Sequence, residues 1–217
     1  MRSKKEFILN HKRLEVSIKE LIENGLEIVW DNFQIKNQKH RILKELLLES
    51  FLLRSCAYWE NFLEKEIILL VKLNPDFFKI YFDLQKNISI NHNLIRAILI
   101  GDKYRDWHDI QSLKSYFSRI INPKANPFKE LTNEQFDILN FTYTLRNYLS
   151  HYSEYSKKKL LLTYKKNYFY KKFIEPGSFL LKNKGKHFES LLHNFILISI
   201  TIRKKLGVPD GSIAITK

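Results

Sequence analysis

Six consecutive residues, Arg146-Asn147-Tyr148-Leu149-Ser150-His151, hold the side chains best suited to chemistry in this chain. Arginine stays charged at any working pH and its planar fork matches a phosphate. Histidine is the side chain whose unperturbed pKa lies close to neutrality. One binds an anion and the other moves a proton, a combination that suits a phosphodiester. Asn147 adds an amide to the pair. Glu60, Ser150 and Tyr152 are candidate supporting residues. Glu60 could pair with a cation of the motif segment, although a glutamate on a long helix is ordinarily solvated.

The motif needs a helix to present it. Thr132-Asn133-Glu134-Gln135 reads as a helix start, with Thr132 as N-cap and Gln135 as its capping-box partner. The helix is expected to run to about Tyr155, with Phe136, Leu139, Phe141, Tyr143, Leu145 and Leu149 facing inward. At about 100° per residue, Asn147 and His151 share a face. Arg146 lies about 140° from His151 and about 7.5 Å along the axis. The two key side chains therefore straddle one face, and a symmetric dimer would bring two such helices together.

The other elements are also expected to be helices. Only six Gly and five Pro punctuate 217 residues rich in Leu, Ile, Lys, Glu and Asn, which favours an all-α bundle over many short strands. The chain reads as a single domain, residues 1–217. A first amphipathic helix is expected from about His11 to Trp30 despite Gly25, followed by a polar break at Asn32 to Lys39. The longest helix follows from His40 to Leu73 and ends at Asn74-Pro75. Residues 75–127 form a variable connector with short helices near 76–84, 91–100 and 108–121, closed by Asn122-Pro123 and Asn126-Pro127. The last helix is expected from about His187 to Leu206, stopped by Gly207-Val208-Pro209.

The segment between the last two helices differs in character. Residues 157–186 hold ten Lys against the single acid Glu175, which supplies +9 of the chain's net +14. Its Leu160-Leu161-Leu162-Thr163-Tyr164 and Tyr168-Phe169-Tyr170 runs could pair as a small β-hairpin turning at Lys165-Lys166-Asn167. Lys157, Lys158, Lys159, Lys165 and Lys166, interleaved with Tyr164, Tyr168, Phe169 and Tyr170, suit phosphate contact and base stacking. A solvated loop packing its aromatics on the bundle is the plainer alternative.

Composition limits the remaining choices. The excess of cations, with a pI near 9.7, biases partners toward polyanions. Cys56 is the sole cysteine, so no intramolecular disulfide forms, and it reads as a buried small hydrophobe. No Cys/His cluster has metal-ligand spacing, so neither metal nor cofactor is expected. His11, His40, His92, His108, His187 and His193 read as structural. Lys4, Lys5 and Glu6 near the start do not resemble a signal peptide, and no apolar run approaches the length of a membrane span. A cytoplasmic protein that does not enter the membrane is expected.

Arg146-Asn147 followed by His151 resembles the R-x4-6-H signature of the HEPN superfamily of α-helical RNases and RNase-derived proteins, in its common Arg-Asn form. The segment Ser55-Cys56-Ala57-Tyr58-Trp59-Glu60-Asn61-Phe62-Leu63 is similar to the small-residue, aromatic and glutamate stretch that precedes the variable insert in the RiboL-PSP type of HEPN protein. Roughly residues 40–206 follow that order of elements. The resemblance implies an up-and-down helical bundle, a homodimer meeting across the motif helices, and metal-independent endoribonuclease activity. It implies a role as a toxin of a toxin–antitoxin system or as a phage-defence effector, with an antitoxin or defence-system protein as partner. His151 would be general base or acid at the RNA 2′-hydroxyl, and Arg146 would stabilise charge on phosphorus. The nucleotidyltransferase-paired HEPN toxins carry a tyrosine two residues after the histidine. Ser153 stands there, so control by tyrosine nucleotidylation is not implied. The alternatives are a non-catalytic HEPN-like RNA-binding or partner-binding module, and a basic helical DNA-binding protein, for which no helix-turn-helix stands out.

Overall fold

A computed structural model describes residues 2–30, 37–101 and 110–207, and all regular structure among them is helical. The α-helices are α1 (Arg2–Trp30), α2 (Gln38–Leu73), α3 (Asp76–Tyr81), α4 (His92–Ile100), α5 (Ile110–Ile120), α6 (Asn133–His151), α7 (Glu154–Tyr168) and α8 (Pro176–Lys205), with a 3-10 turn at Pro127–Glu130. The all-α expectation holds. His108, the start of the helix expected near it, part of the polar break after Trp30, and Val208-Pro209 lie outside the described residues.

The chain divides into two compact units. Residues up to Leu14, Glu60–Thr132 and the chain from Ile198 form the first; Glu15–Trp59 and Asn133–Leu197 form the second. The described part of the connector at 75–127 belongs to the first unit. There Asn91 Oδ1 caps α4 by accepting from Leu94 N at 2.9 Å, and Phe117 of α5 stacks obliquely on Phe128 of the 3-10 turn at 4.4 Å. The sequence reading missed a buried polar group in this unit. Asn10 Nδ2 donates to Glu66 Oε1 at 2.7 Å and to the Phe62 carbonyl at 3.2 Å, while His11 Nε2 lies 3.4 Å from Glu66 Oε2. A fully buried carboxylate requires such partners.

In the second unit α6 is central. Five consecutive residues, Phe141 to Leu145, are buried, so this stretch has no solvent face. The hydroxyls of Thr142 and Thr144 are satisfied by the carbonyls of Ile138 and Asn140, at 2.8 and 2.7 Å. All six residues expected to face inward are buried. Trp59 stacks on Phe195 at 5.2 Å, and α8 approaches α1 closely enough that a Cβ on Gly25 would meet the Phe188 ring at 2.4 Å.

Four expectations are corrected. The first helix begins at Arg2 rather than near His11. The motif helix ends at His151 rather than about Tyr155, because Tyr152 takes a left-handed φ of 46° and Ser153 starts a new helix. The expected hairpin is α7: Ser153 and Ser156 form a reciprocal capping box, and Ser156, Leu160 and Tyr164 recur every four residues on its buried face. The last helix starts at Pro176, a favoured first helical position, and has a non-helical break at Lys182–Gly185. The arm beyond that break is the helix expected from about His187.

Candidate active site

The motif occupies the end of a helix whose middle stretch is buried. Arg146 and Asn147 are half-buried, Ser150 and His151 are exposed, and Tyr148 and Leu149 are buried between them. Arg146 Nη1 donates to Asn147 Oδ1 at 3.1 Å. Neighbouring helical residues ordinarily diverge by about 100°, so this bond turns the guanidinium toward the face that Asn147 shares with His151. Asn147 therefore engages Arg146 rather than His151. His151 is the last residue of α6, where an imidazolium would also complement the helix dipole.

What anchors this end of α6 is a group of carboxylates and tyrosines, of which the sequence reading singled out only Tyr152. Tyr148 donates its hydroxyl to Glu175 Oε2 at 3.1 Å. Desolvation first, and Glu175 second, push that phenol up to about 12. Glu49 of α2 accepts the Gly177 N–H at 2.7 Å, and Ser178 Oγ donates to Glu45 at 2.7 Å, so two carboxylates of α2 hold the start of α8. Burial is the main cause that raises Glu49, and Glu175 and Glu45 add to it. Tyr152, in the link from α6 to α7, is raised by desolvation and then by Glu49 and Glu175. Its ring lies 5.2 Å from that of Tyr148. The sequence signal for this anchor was Glu175-Pro176-Gly177-Ser178, a helix start hidden inside a segment read for its lysines.

The expected RNA-binding lysines all lie on α7, which packs against α6. Lys158, Lys159, Lys165 and Lys166 are exposed, and Lys166 pairs with Asp137 at 3.1 Å. Lys157 instead lies half-buried, its ammonium 5.2 Å from the centre of the Phe173 ring. Tyr164 is fully buried against Phe141 and Phe179, so it is a core residue and not a stacking platform. Tyr168 is half-buried and packs on the same two rings. Glu60 is half-buried on α2 and belongs to the first unit, whereas the motif belongs to the second. Cys56 is buried, as expected.

Among the described residues, no three His, Cys, Asp or Glu side chains gather as a set of metal ligands, and no helix is long and apolar enough to cross a membrane. No protein-family model, curated protein or solved structure matches the chain. The likeness to HEPN proteins therefore rests on the motif residues and their setting.

Proposed function

We propose that this protein is a metal-independent endoribonuclease of HEPN type, acting in the cytoplasm as a toxin or phage-defence effector, with Arg146 and His151 as its catalytic pair. The observation that carries this reading is the Arg146–Asn147 hydrogen bond. It supports a guanidinium held toward the face on which the exposed His151 ends α6. In this reading His151 takes the proton of a ribose 2′-hydroxyl as that oxygen attacks phosphorus, and Arg146 stabilises the charge that builds on the phosphoryl oxygens. The 5′-oxygen departs with a proton from a second acid, and the product keeps a 2′,3′-cyclic phosphate. A homodimer would supply that acid as the His151 of a second copy, because one helix bears only one imidazole. Lys158, Lys159, Lys165 and Lys166 on the adjoining α7 would guide the RNA backbone.

A specific observation favours the second reading, a non-catalytic RNA-binding or partner-binding module. The His151 imidazole makes no hydrogen bond or ion pair among the described residues, whereas a catalytic imidazole is usually oriented by a third group. The substrate separates the two. RNA that is bound but left intact favours the module; an RNA that the protein cuts is re-synthesised with one 2′-deoxynucleotide at the cleaved position. Loss of cutting there, with a cyclic phosphate on the normal product, supports the enzyme. Cutting of the deoxy position rejects the 2′-hydroxyl mechanism.

A further inference from the structure

Helix α7 carries on its solvent face a ridge that the bundle does not use. Tyr155, Leu162 and Phe169 are 77%, 65% and 86% exposed; Tyr155 and Leu162, seven residues apart on α7, fall nearly in line about 10 Å apart, and Phe169 follows at the C-cap, beyond the last helical residue. Lys158 and Lys165 lie about 60° to one side of this line, and Lys159 and Lys166 about 40° to the other. The ammonium groups of Lys158, Lys159 and Lys165 have no ion-pair partner among the described residues. That of Lys166 rests on an exposed Asp137, a pair readily exchanged for another carboxylate.

Phe169 supplies an independent observation. It is the C-cap of α7 and holds φ 56°, ψ 21°, the left-handed conformation in which glycine or asparagine is usual. A bulky aromatic there is strained, and its ring is almost wholly in water. Nothing in the bundle gains from it, and strain of this kind commonly marks a contact made with something else.

We infer that the outer face of α7 is a docking surface for an acidic amphipathic helix of a partner protein, whose apolar side straddles the Tyr155-Leu162-Phe169 ridge while its flanking carboxylates meet the two lysine rows. The ridge spans about 21 Å, which calls for a partner helix of some four turns or more. A second copy of this chain fits poorly, since it would set lysine rows against lysine rows. A membrane surface needs a broad apolar face, and this ridge is one residue wide. An RNA strand would use the lysines but not the central Leu162, which offers no ring for stacking. The docking itself does not rest on the nuclease reading. Only its consequence does, namely that the bound helix would cover lysines proposed to guide RNA.

The test uses the full chain and a fluorescein-labelled synthetic peptide of about three heptads, with Leu at the first and fourth positions and mainly Glu elsewhere, followed by anisotropy. A composition-matched scramble and a labelled single-stranded RNA are the comparison probes. The patterned peptide should bind at least roughly tenfold tighter than the scramble, and Leu162→Ser should weaken it by roughly tenfold while changing RNA affinity little. Phe169→Gly should also lose peptide affinity yet melt at a higher temperature, because glycine relieves the left-handed cap. That rise separates lost docking from lost folding. Equal binding of patterned and scrambled peptides, or unchanged binding by both variants, overturns the inference. A parallel loss of RNA binding in Leu162→Ser would assign the ridge to nucleic acid instead. No readout here uses RNA cleavage, so failure of the nuclease reading leaves this result standing.

Discussion

Arg146 donates from Nη1 to Oδ1 of Asn147 at 3.1 Å, although the two are chain neighbours on one helix. The bond directs the guanidinium toward the face of His151, so in the proposed mechanism Asn147 acts through arginine. Asn147→Ala should therefore keep the fold and RNA binding but lower RNA cleavage by roughly 10–100-fold, the usual cost of a misplaced catalytic group. Asn147→Asp, which keeps the acceptor, should retain more of the activity. The cleavage rates of the two variants on one labelled RNA check this.

Glu49 gives the stability a pH dependence of known sign. Its carboxyl is raised above the ordinary 4.5, chiefly by burial. The folded protein thus holds the proton to a higher pH than the unfolded chain does, and this contribution to stability is lost as pH rises from 4.5 through the raised value. Glu49→Gln keeps the acceptor for the Gly177 N–H and removes the repulsion from Glu175 and Glu45. Its melting temperature should match wild type near pH 4 and exceed it at pH 7, by an amount on the order of 1–2 °C. Thermal melts across that range measure the difference.

Tyr164 is fully buried, and its hydroxyl has no hydrogen-bond partner. Desolvation pushes that phenol far above its usual range. Tyr164→Phe should stabilise the protein by about 1 kcal/mol, or about 2–4 °C in melting temperature. A lower melting temperature by calorimetry would contradict this.

Gly177 is fixed by close approach. A Cβ there would lie 2.6 Å from Glu45 Cβ and 2.8 Å from Glu49 Oε1. Gly177→Ala should force α8 from α2 and cost about 1–3 kcal/mol. The same substitution should disturb the Gly177–Glu49 bond, which holds the Glu49 carboxyl down, so the pH dependence assigned to Glu49 should grow with it. Denaturant unfolding at two pH values reads both effects.

Periodicity made much of this fold legible. The 36 residues of α2 and the inward face of α6 follow from apolar spacing and the absence of Gly and Pro. Helix α7 differs from the expected hairpin, which rests on Leu160-Leu161-Leu162 and Tyr168-Phe169-Tyr170 as apolar runs of strand length. The four-residue recurrence of Ser156, Leu160 and Tyr164, with Ser153 before it as a cap, was the stronger signal. For the site, the motif named its own residues, and α6 does carry them to an exposed end. The Glu45, Glu49, Glu175 and Tyr148 anchor was hidden because its members come from distant parts of the chain, Glu49 and Gly177 lying 128 positions apart, and meet only in the folded second unit.

The central claim is that Arg146 and His151 together cut RNA without a metal, and the most direct measurement is cleavage of a labelled RNA in excess chelator by wild type, Arg146→Ala and His151→Ala, each shown to be folded by circular dichroism. The account predicts that wild type cuts and that each variant is slower by roughly 100-fold or more. Wild-type protein that binds the RNA without cutting it, or variants that cut at the wild-type rate, would contradict it.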